Sequence, residues 1–187
     1  MNRFVLGFAF AILVLAMVGL AVVFTGGFNV AASVPHSSVE TWIFSTTMKN
    51  SVQRQAEGIT APASIPEEQV RRGFAKYRDS CVYCHGAPGV DATDWAQGIT
   101  PEPPYLPDTV RRWQPAELFW IVRNGVKMTA MPSFAKHLSD RDIWGVVGFI
   151  QRLPGMPDAE YARLAQEADH PSQTPGAINE PAGAPNR

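Results

Sequence analysis

The chain begins with a long, uninterrupted apolar stretch. Residues Phe4 to Phe24 number 21 and carry no charge, and about 20 helical residues cross the hydrocarbon layer of a membrane. Arg3 is the one charge that precedes this stretch, so the positive-inside rule predicts a cytoplasmic amino terminus. We therefore expect residues 1–27 to be an uncleaved single-pass anchor in a bacterial inner membrane, with the rest of the chain in the periplasm.

A cleaved secretory signal is the alternative interpretation of the same stretch. Ala31 and Ala32 are small residues of the kind found at a cleavage site. The apolar core of such a signal has roughly 7–15 residues, however. The greater length of the apolar run in this chain favours the anchor.

A second helical pattern covers residues 37–55. Ser37 can cap the helix, and Glu40 stands three residues later, as a capping box requires. The helix is predicted to have one mainly apolar stripe, made of Val39, Trp42, Ile43, Thr46 and Val52. This stripe would rest on the domain or on lipid, and docking to another membrane subunit is the alternative. Prolines and small residues from 58 to 66 predict a linker, so residues 28–65 form a juxtamembrane helix and linker.

Helical periodicity is strongest in residues 66–153, the expected core domain. Its first helix is predicted before residue 81, because apolar side chains recur there at spacings of four, three and four. These side chains belong to Val70, Phe74, Tyr77 and Cys81. Two further helices are predicted, from Pro115 to Arg123 and from Ser139 to Leu153, the latter ended by Pro154. Every element predicted in this segment is a helix, so an all-α fold is expected.

The last segment, residues 154–187, is rich in Pro and Ala and is acidic, with two basic and five acidic residues. A short helix is predicted from Asp158 to Gln166. The low content of large apolar residues predicts disorder from Pro171 onward.

The charge balance excludes some classes of function. The chain has 16 basic and 17 acidic residues and a formal net charge of -1, whereas nucleic-acid binding needs a clustered basic surface. Cys81 and Cys84 are the only two cysteines. Two cysteines cannot build a disulfide framework or a four-cysteine zinc site.

The two cysteines lie in the sequence Cys81-Val82-Tyr83-Cys84-His85, and C-x-x-C-H is the attachment motif of c-type haem. Thiols three positions apart lie on one face of a helical turn, so each can form a thioether with one vinyl group of the same haem. The next residue then presents its imidazole to the iron. A thioredoxin-like thiol pair is the alternative, but such a pair follows a strand, and a helix is predicted here.

Three blocks together resemble the class I cytochromes c. The first, residues 73–86, is similar to the amino-terminal helix and haem site of that family. The second, residues 124–134, is similar to the loop of the distal ligand, and the third, residues 142–150, to the carboxy-terminal helix. The resemblance covers residues 66–153 and implies three to four helices around one covalently bound haem c.

The proximal iron ligand is expected to be His85, and several downstream residues are candidates for the opposite side. Pro132 biases Met131 toward extended backbone, and the resemblance also implies the methionine of the Met-Pro pair. Met128, His137 and Met156 are the alternatives, His137 giving a bis-histidine site.

Three more site residues are expected. The resemblance implies that the carbonyl of Pro104 accepts the second ring proton of the histidine ligand, as in the Pro-x-Leu turn of the family. Trp113 and Arg111 or Arg112 are candidate contacts for a haem propionate. The resemblance also implies that Gly73 and Tyr77 contact the carboxy-terminal helix, at Val146 and Phe149.

The function expected from these features is electron transfer rather than catalysis. A membrane-anchored cytochrome with one haem would pass single electrons between redox partners such as an oxidase, a reductase or a dehydrogenase. Three alternatives remain: a fixed haem subunit of a larger membrane oxidoreductase, a haem with an open site that binds gases, and a thiol oxidoreductase.

Overall fold

The computed structural model of the chain describes residues 2–169, and within them it is helical apart from one isolated bridge between Ala87 and Val90. The all-α prediction is therefore confirmed for this part of the chain. The disorder predicted from Pro171 onward lies outside the described residues. The helices are α1 (Asn2–Thr25), α2 (Ser38–Ala56), α3 (Glu67–Ser80), α4 (Val82–His85), α5 (Asp94–Gln97), α6 (Leu106–Thr109), α7 (Pro115–Asn124), α8 (Asp140–Ile150) and α9 (Asp158–Asp169), with 3-10 turns at Val110–Arg112 and Phe134–Lys136.

The chain divides into two units, Met1–Pro35 and His36–Arg187. The first contains α1, whose 24 residues include no charge after Arg3 and no buried side chain. At 1.5 Å per residue this helix is about 36 Å long. By length and composition it is able to cross a membrane.

Helix α2 begins with the predicted capping box. The backbone N–H of Ser37 donates to Glu40 Oε2 over 2.7 Å, and the N–H of Glu40 donates to Ser37 Oγ over 3.3 Å. Of the residues in the predicted stripe, Val52 is buried, as is its neighbour one turn later, Ala56. Other apolar side chains of α2 are exposed, namely Val39, Trp42, Ile43 and Phe44. Helix α2 packs on α7, and its buried side chains lie in its second half.

The core is centred on the crossing of α3 and α8. Tyr77 and Phe149 are almost completely buried, and their ring centroids lie 5.2 Å apart. At the crossing itself, Gly73 meets the backbone of Gly145 and Val146. The expected contacts of Gly73 and Tyr77 with the carboxy-terminal helix are present.

Gly145 is a partner that the sequence patterns did not indicate. A Cβ on Gly73 would lie 2.0 Å from Gly145 O, and a Cβ on Gly145 would lie 2.5 Å from Gln69 O. Each distance is too short for a real Cβ contact. The two backbones can therefore approach this closely only with glycine on both helices.

Helix boundaries differ somewhat from the predictions. Helix α8 ends at Ile150 rather than Leu153, and turns continue the chain to the buried side chain of Leu153. The predicted tail helix is present as α9 and extends to Asp169.

Helix α9 packs on the core instead of projecting from it. The ring of Tyr161 is buried against Phe74 in an edge-to-face arrangement, with centroids 5.6 Å apart. The guanidinium of Arg78 donates to Ala165 O over 2.9 Å and to Asp169 Oδ1 over 2.6 Å. These contacts attach the carboxy-terminal end of α9 to α3.

Candidate haem site

The cysteine motif lies where α3 ends and the short helix α4 begins. The backbone N–H of His85 donates to Cys81 O over 2.9 Å, and the N–H of Cys84 donates to the same oxygen over 3.1 Å. The two cysteines are not joined in a disulfide, and the side chains of all three residues are partly buried. One turn of helix therefore carries two thiols and an imidazole.

The imidazole of His85 is oriented by a hydrogen bond with the backbone of a distant loop. Its Nδ1 lies 2.8 Å from the carbonyl oxygen of Pro104. Because a carbonyl can only accept, Nδ1 carries the proton and Nε2 keeps a free lone pair for a metal. Burial lowers the pKa of His85, although the hydrogen bond to Pro104 opposes this effect. The ring is therefore held in the neutral form that binds metals.

The thiol of Cys81 has the opposite character from that of a redox-active cysteine. Burial, and then the charge of Cys84, raise its pKa to about 12. Thiol–disulfide enzymes instead lower the pKa of their attacking thiol, because the thiolate is the nucleophile. The environment of this pair does not favour thiol exchange.

Tyr77 supports the motif from the core side, in a role the sequence patterns did not identify. Its hydroxyl is buried and donates to Gly86 O over 2.5 Å. Burial raises the pKa of Tyr77 well above its ordinary value, so the hydroxyl remains a donor. This bond ties α3 to the residue that follows His85. The signal that could have found it is a tyrosine on an otherwise apolar stripe, since a buried hydroxyl needs a partner.

The loop after α7 is folded back on itself around Met131. The N–H of Val126 donates to Met131 O over 3.2 Å, and the N–H of Met131 donates to Thr129 Oγ1 over 3.1 Å. Gly125 turns the chain with φ 68, and a Cβ at this position would lie 2.5 Å from the carbonyl carbon of Pro132. The loop therefore requires glycine here.

The structure places the four candidates for the distal ligand differently. Met131 and Met156 are partly buried and pack against the core. Met128 is 90% exposed and adopts φ 63. His137 is exposed and follows the 3-10 turn of Phe134–Lys136. Of the two partly buried methionines, Met131 is the one that lies in the hydrogen-bonded loop after α7.

Of the three candidate propionate contacts, Trp113 is partly buried against the core and Arg112 is exposed. Arg111 is exposed, and its Nη2 donates to Pro154 O over 3.3 Å. The guanidinium of Arg111 thus contacts the turn after α8.

The donor set of these residues fits a c-type haem. Two thiols on one helical turn can form two thioethers with one macrocycle. A neutral imidazole with a free Nε2 and a thioether sulfur from Met131 are the ligand types found on the iron of electron-transfer cytochromes.

The region that contains these residues matches a known family. Residues 68–150 match the family described as cytochrome c oxidase, cbb3-type, subunit III. Residues 68–150 form a class I c-type cytochrome domain. The family match indicates that this domain transfers electrons, and it implies haem c as the cofactor.

A curated relative supports the same assignment. The chain is 30% identical over 105 residues to dihydro-heme d1 dehydrogenase of Pseudomonas aeruginosa. The similar stretch covers 54% of this chain but 20% of the length of that protein. The likeness therefore concerns about half of this chain and a fifth of the relative.

Proposed function

We propose that the protein is a membrane-anchored cytochrome with a single haem that carries electrons one at a time between redox proteins on the periplasmic side of a bacterial inner membrane. The observation that carries this proposal is the motif turn, in which Nδ1 of His85 is held 2.8 Å from Pro104 O. That bond leaves Nε2 as the ligand, directly after two thiols on the same turn.

Each residue of the site has a distinct role in this proposal. Cys81 and Cys84 would hold the haem through thioethers, and His85 and Met131 would bind its iron. The haem would supply an iron that alternates between the ferrous and ferric states. Pro104 fixes the tautomer and the orientation of the imidazole, and the hydrogen-bonded loop would present Met131. Because both side chains are held by backbone hydrogen bonds around them, they would need little rearrangement for electron transfer.

Anchoring explains how such a carrier would work efficiently. Helix α1 would keep the cytochrome domain close to membrane-bound partners, which raises its effective concentration relative to a freely diffusing carrier. A thioether-bound cofactor is also not lost by dissociation outside the cytoplasm. We propose an oxidase, a reductase or a dehydrogenase as the partner that exchanges electrons with the domain.

Replacing both Cys81 and Cys84 by serine tests the covalent attachment. The parent protein, denatured and run on a gel, is expected to keep its haem stain, whereas the double variant is expected to lose all of it. The two thiols are the only ones in the chain, so no other residue can form a thioether. Intact mass is the second readout: a mature parent protein with the mass of the bare polypeptide and two alkylatable thiols would refute the proposal.

A second candidate function is a fixed haem subunit of a larger membrane oxidoreductase. The first half of α2 favours it, because its large side chains, Trp42, Ile43 and Phe44, lie exposed to solvent. The dehydrogenase named above is a larger protein that includes a similar stretch. A subunit of this kind would use such a surface against a neighbouring chain.

Purification from native membranes in a mild detergent separates the two candidates. A fixed subunit is expected to co-purify with one partner at constant stoichiometry, and Trp42→Ser is expected to reduce recovery of that partner severalfold. Gln53→Ser, on the same helix, is the matched control and should change nothing. Recovery of the chain alone, with full redox activity toward added partners, would support the free carrier.

A further inference from the structure

Outside α2, the exposed large apolar side chains of the described unit from His36 onward are few. They are Tyr83, Val90, Trp95, Tyr105 and Met128. Four of these five belong to the stretch between Cys81 and Leu106, where they are 40–62% exposed. We call Tyr83, Val90, Trp95 and Tyr105 the aromatic patch.

Contacts with intervening residues place the members of the aromatic patch beside the cysteine motif. The N–H and Oγ1 of Thr93 both donate to Tyr83 O over 2.9 Å, and Trp95 follows two residues later in α5. A Cβ on Gly86 would lie 2.9 Å from Val90 O and 3.2 Å from the ring of Tyr105. Gly86 immediately follows His85, so the patch adjoins the residues that would hold the haem.

The stretch of sequence that contains most of the aromatic patch is acidic. Residues 86–110 include four acidic residues, Asp91, Asp94, Glu102 and Asp108, and no lysine or arginine. Asp158 lies close to the same surface, because a Cβ added to Gly89 would be 2.9 Å from the Cβ of Asp158. Burial raises the pKa of Tyr105, and the charges of Asp108, Asp158 and Asp91 raise it further, as expected for carboxylates near its ring.

The basic residues that flank this stretch in the sequence are Arg78 before it and Arg111 and Arg112 after it. Arg78 donates to Asp169 Oδ1, and the guanidinium of Arg111 is directed to Pro154 O. The 11 basic and 10 acidic residues of 66–153 nearly cancel as a total but are unevenly distributed along the chain. The acidic charge lies beside the motif.

We propose that the aromatic patch and its acidic border form the docking surface for a redox protein whose contact face has basic side chains around an apolar centre. The inference rests on the proposed electron-transfer function and adds the chemistry of the partner. Exposed aromatic side chains are typical of interface centres. Complementary charges at the border accelerate the association of the two proteins and disfavour partners whose surface has a charge of the same sign.

Binding of three peptides to the full chain in nanodiscs of zwitterionic lipid tests the proposal. The probes are KKLLKK, KKSSKK and EELLEE, followed through the backbone amide NMR signals of the reduced, diamagnetic protein. KKLLKK is expected to shift the signals of residues 83–108. KKSSKK should shift the same signals with about tenfold weaker affinity, since it lacks apolar contacts. EELLEE should shift none of them.

Variants separate the acidic border from the aromatic patch. Replacing Asp91, Asp94 and Asp108 by asparagine is expected to weaken both lysine peptides at least fivefold. The control exchanges the same number of exposed acids elsewhere (Glu57→Gln, Asp140→Asn and Glu167→Gln) and should leave both affinities unchanged. Trp95→Ser is expected to remove most of the difference between KKLLKK and KKSSKK.

Two outcomes would overturn the inference. One is equal binding of EELLEE and KKLLKK at the patch, which would show that charge is irrelevant. The other is that the lysine peptides shift signals in other parts of the domain and leave residues 83–108 unchanged. The titration reads binding and not electron transfer, so its failure is distinguishable from a failure of the haem stain that tests the proposed function.

Discussion

Met131→Ala is expected to abolish the sulfur-to-iron charge-transfer band of the oxidised protein and to lower its reduction potential. A thioether ligand favours the ferrous iron, so its loss favours the ferric state. We expect a fall on the order of 0.1 V, within the roughly 0.8 V that axial ligands span. The visible spectrum and a potentiometric titration measure the two effects.

Met128→Ala is the matched control, since both methionines belong to the same loop and Met128 is 90% exposed. It should leave the band and the potential unchanged. The parent protein should not bind carbon monoxide at neutral pH, whereas the Met131 variant should bind it through the vacated coordination position. Loss of the band in the Met128 variant, or carbon monoxide binding by the parent, would contradict the assignment of Met131.

Gly73→Ala is expected to destabilise the cytochrome domain by about 3 kcal/mol, at the upper end of the usual cost of overpacking. A Cβ on Gly73 would lie 2.0 Å from the carbonyl oxygen of Gly145. This neighbour is backbone, so it cannot move aside as a flexible side chain could. The helices α3 and α8 must separate instead. For a domain of this size the midpoint of thermal unfolding should fall on the order of 15 °C.

Gly58→Ala is the control for this prediction, because a Cβ on Gly58 meets no heavy atom within 4 Å. It should change the free energy of unfolding by no more than about 0.5 kcal/mol. Gly145→Ala should resemble Gly73→Ala, and the two changes together should cost less than their sum because they separate the same helices. A Gly73→Ala variant as stable as the parent protein would disprove the close crossing.

The crossing and the motif are parts of one packing arrangement. Tyr77 lies one turn after Gly73, contacts Phe149 across the crossing and donates its hydroxyl to Gly86. A shift of α3 would therefore displace Gly86, the residue next to His85. Helix α9 adds to the same core through Tyr161, although it lies beyond the residues that match the family. The core of this chain is thus larger than the matched segment.

The local features of this protein follow from its sequence alone. The apolar run of α1, the capping box of Ser37 and Glu40, and the periodicity of α3 depend on residues within one or two helical turns of each other. Such signals are readable because neighbouring side chains share a helix face at fixed spacings. The motif at Cys81 is equally local, so the candidate cofactor was predictable from five consecutive residues.

The tertiary structure decided the features that join distant parts of the chain. It brought Gly145 against Gly73, buried Val52 and Ala56 of α2 while leaving the apolar residues at the start of that helix exposed, and gathered the aromatic patch beside an acidic border. Periodicity tells which residues share a face of one helix, but it does not tell which other element covers that face. That choice is made by packing between residues tens of positions apart, where a single missing Cβ determines how closely two backbones approach.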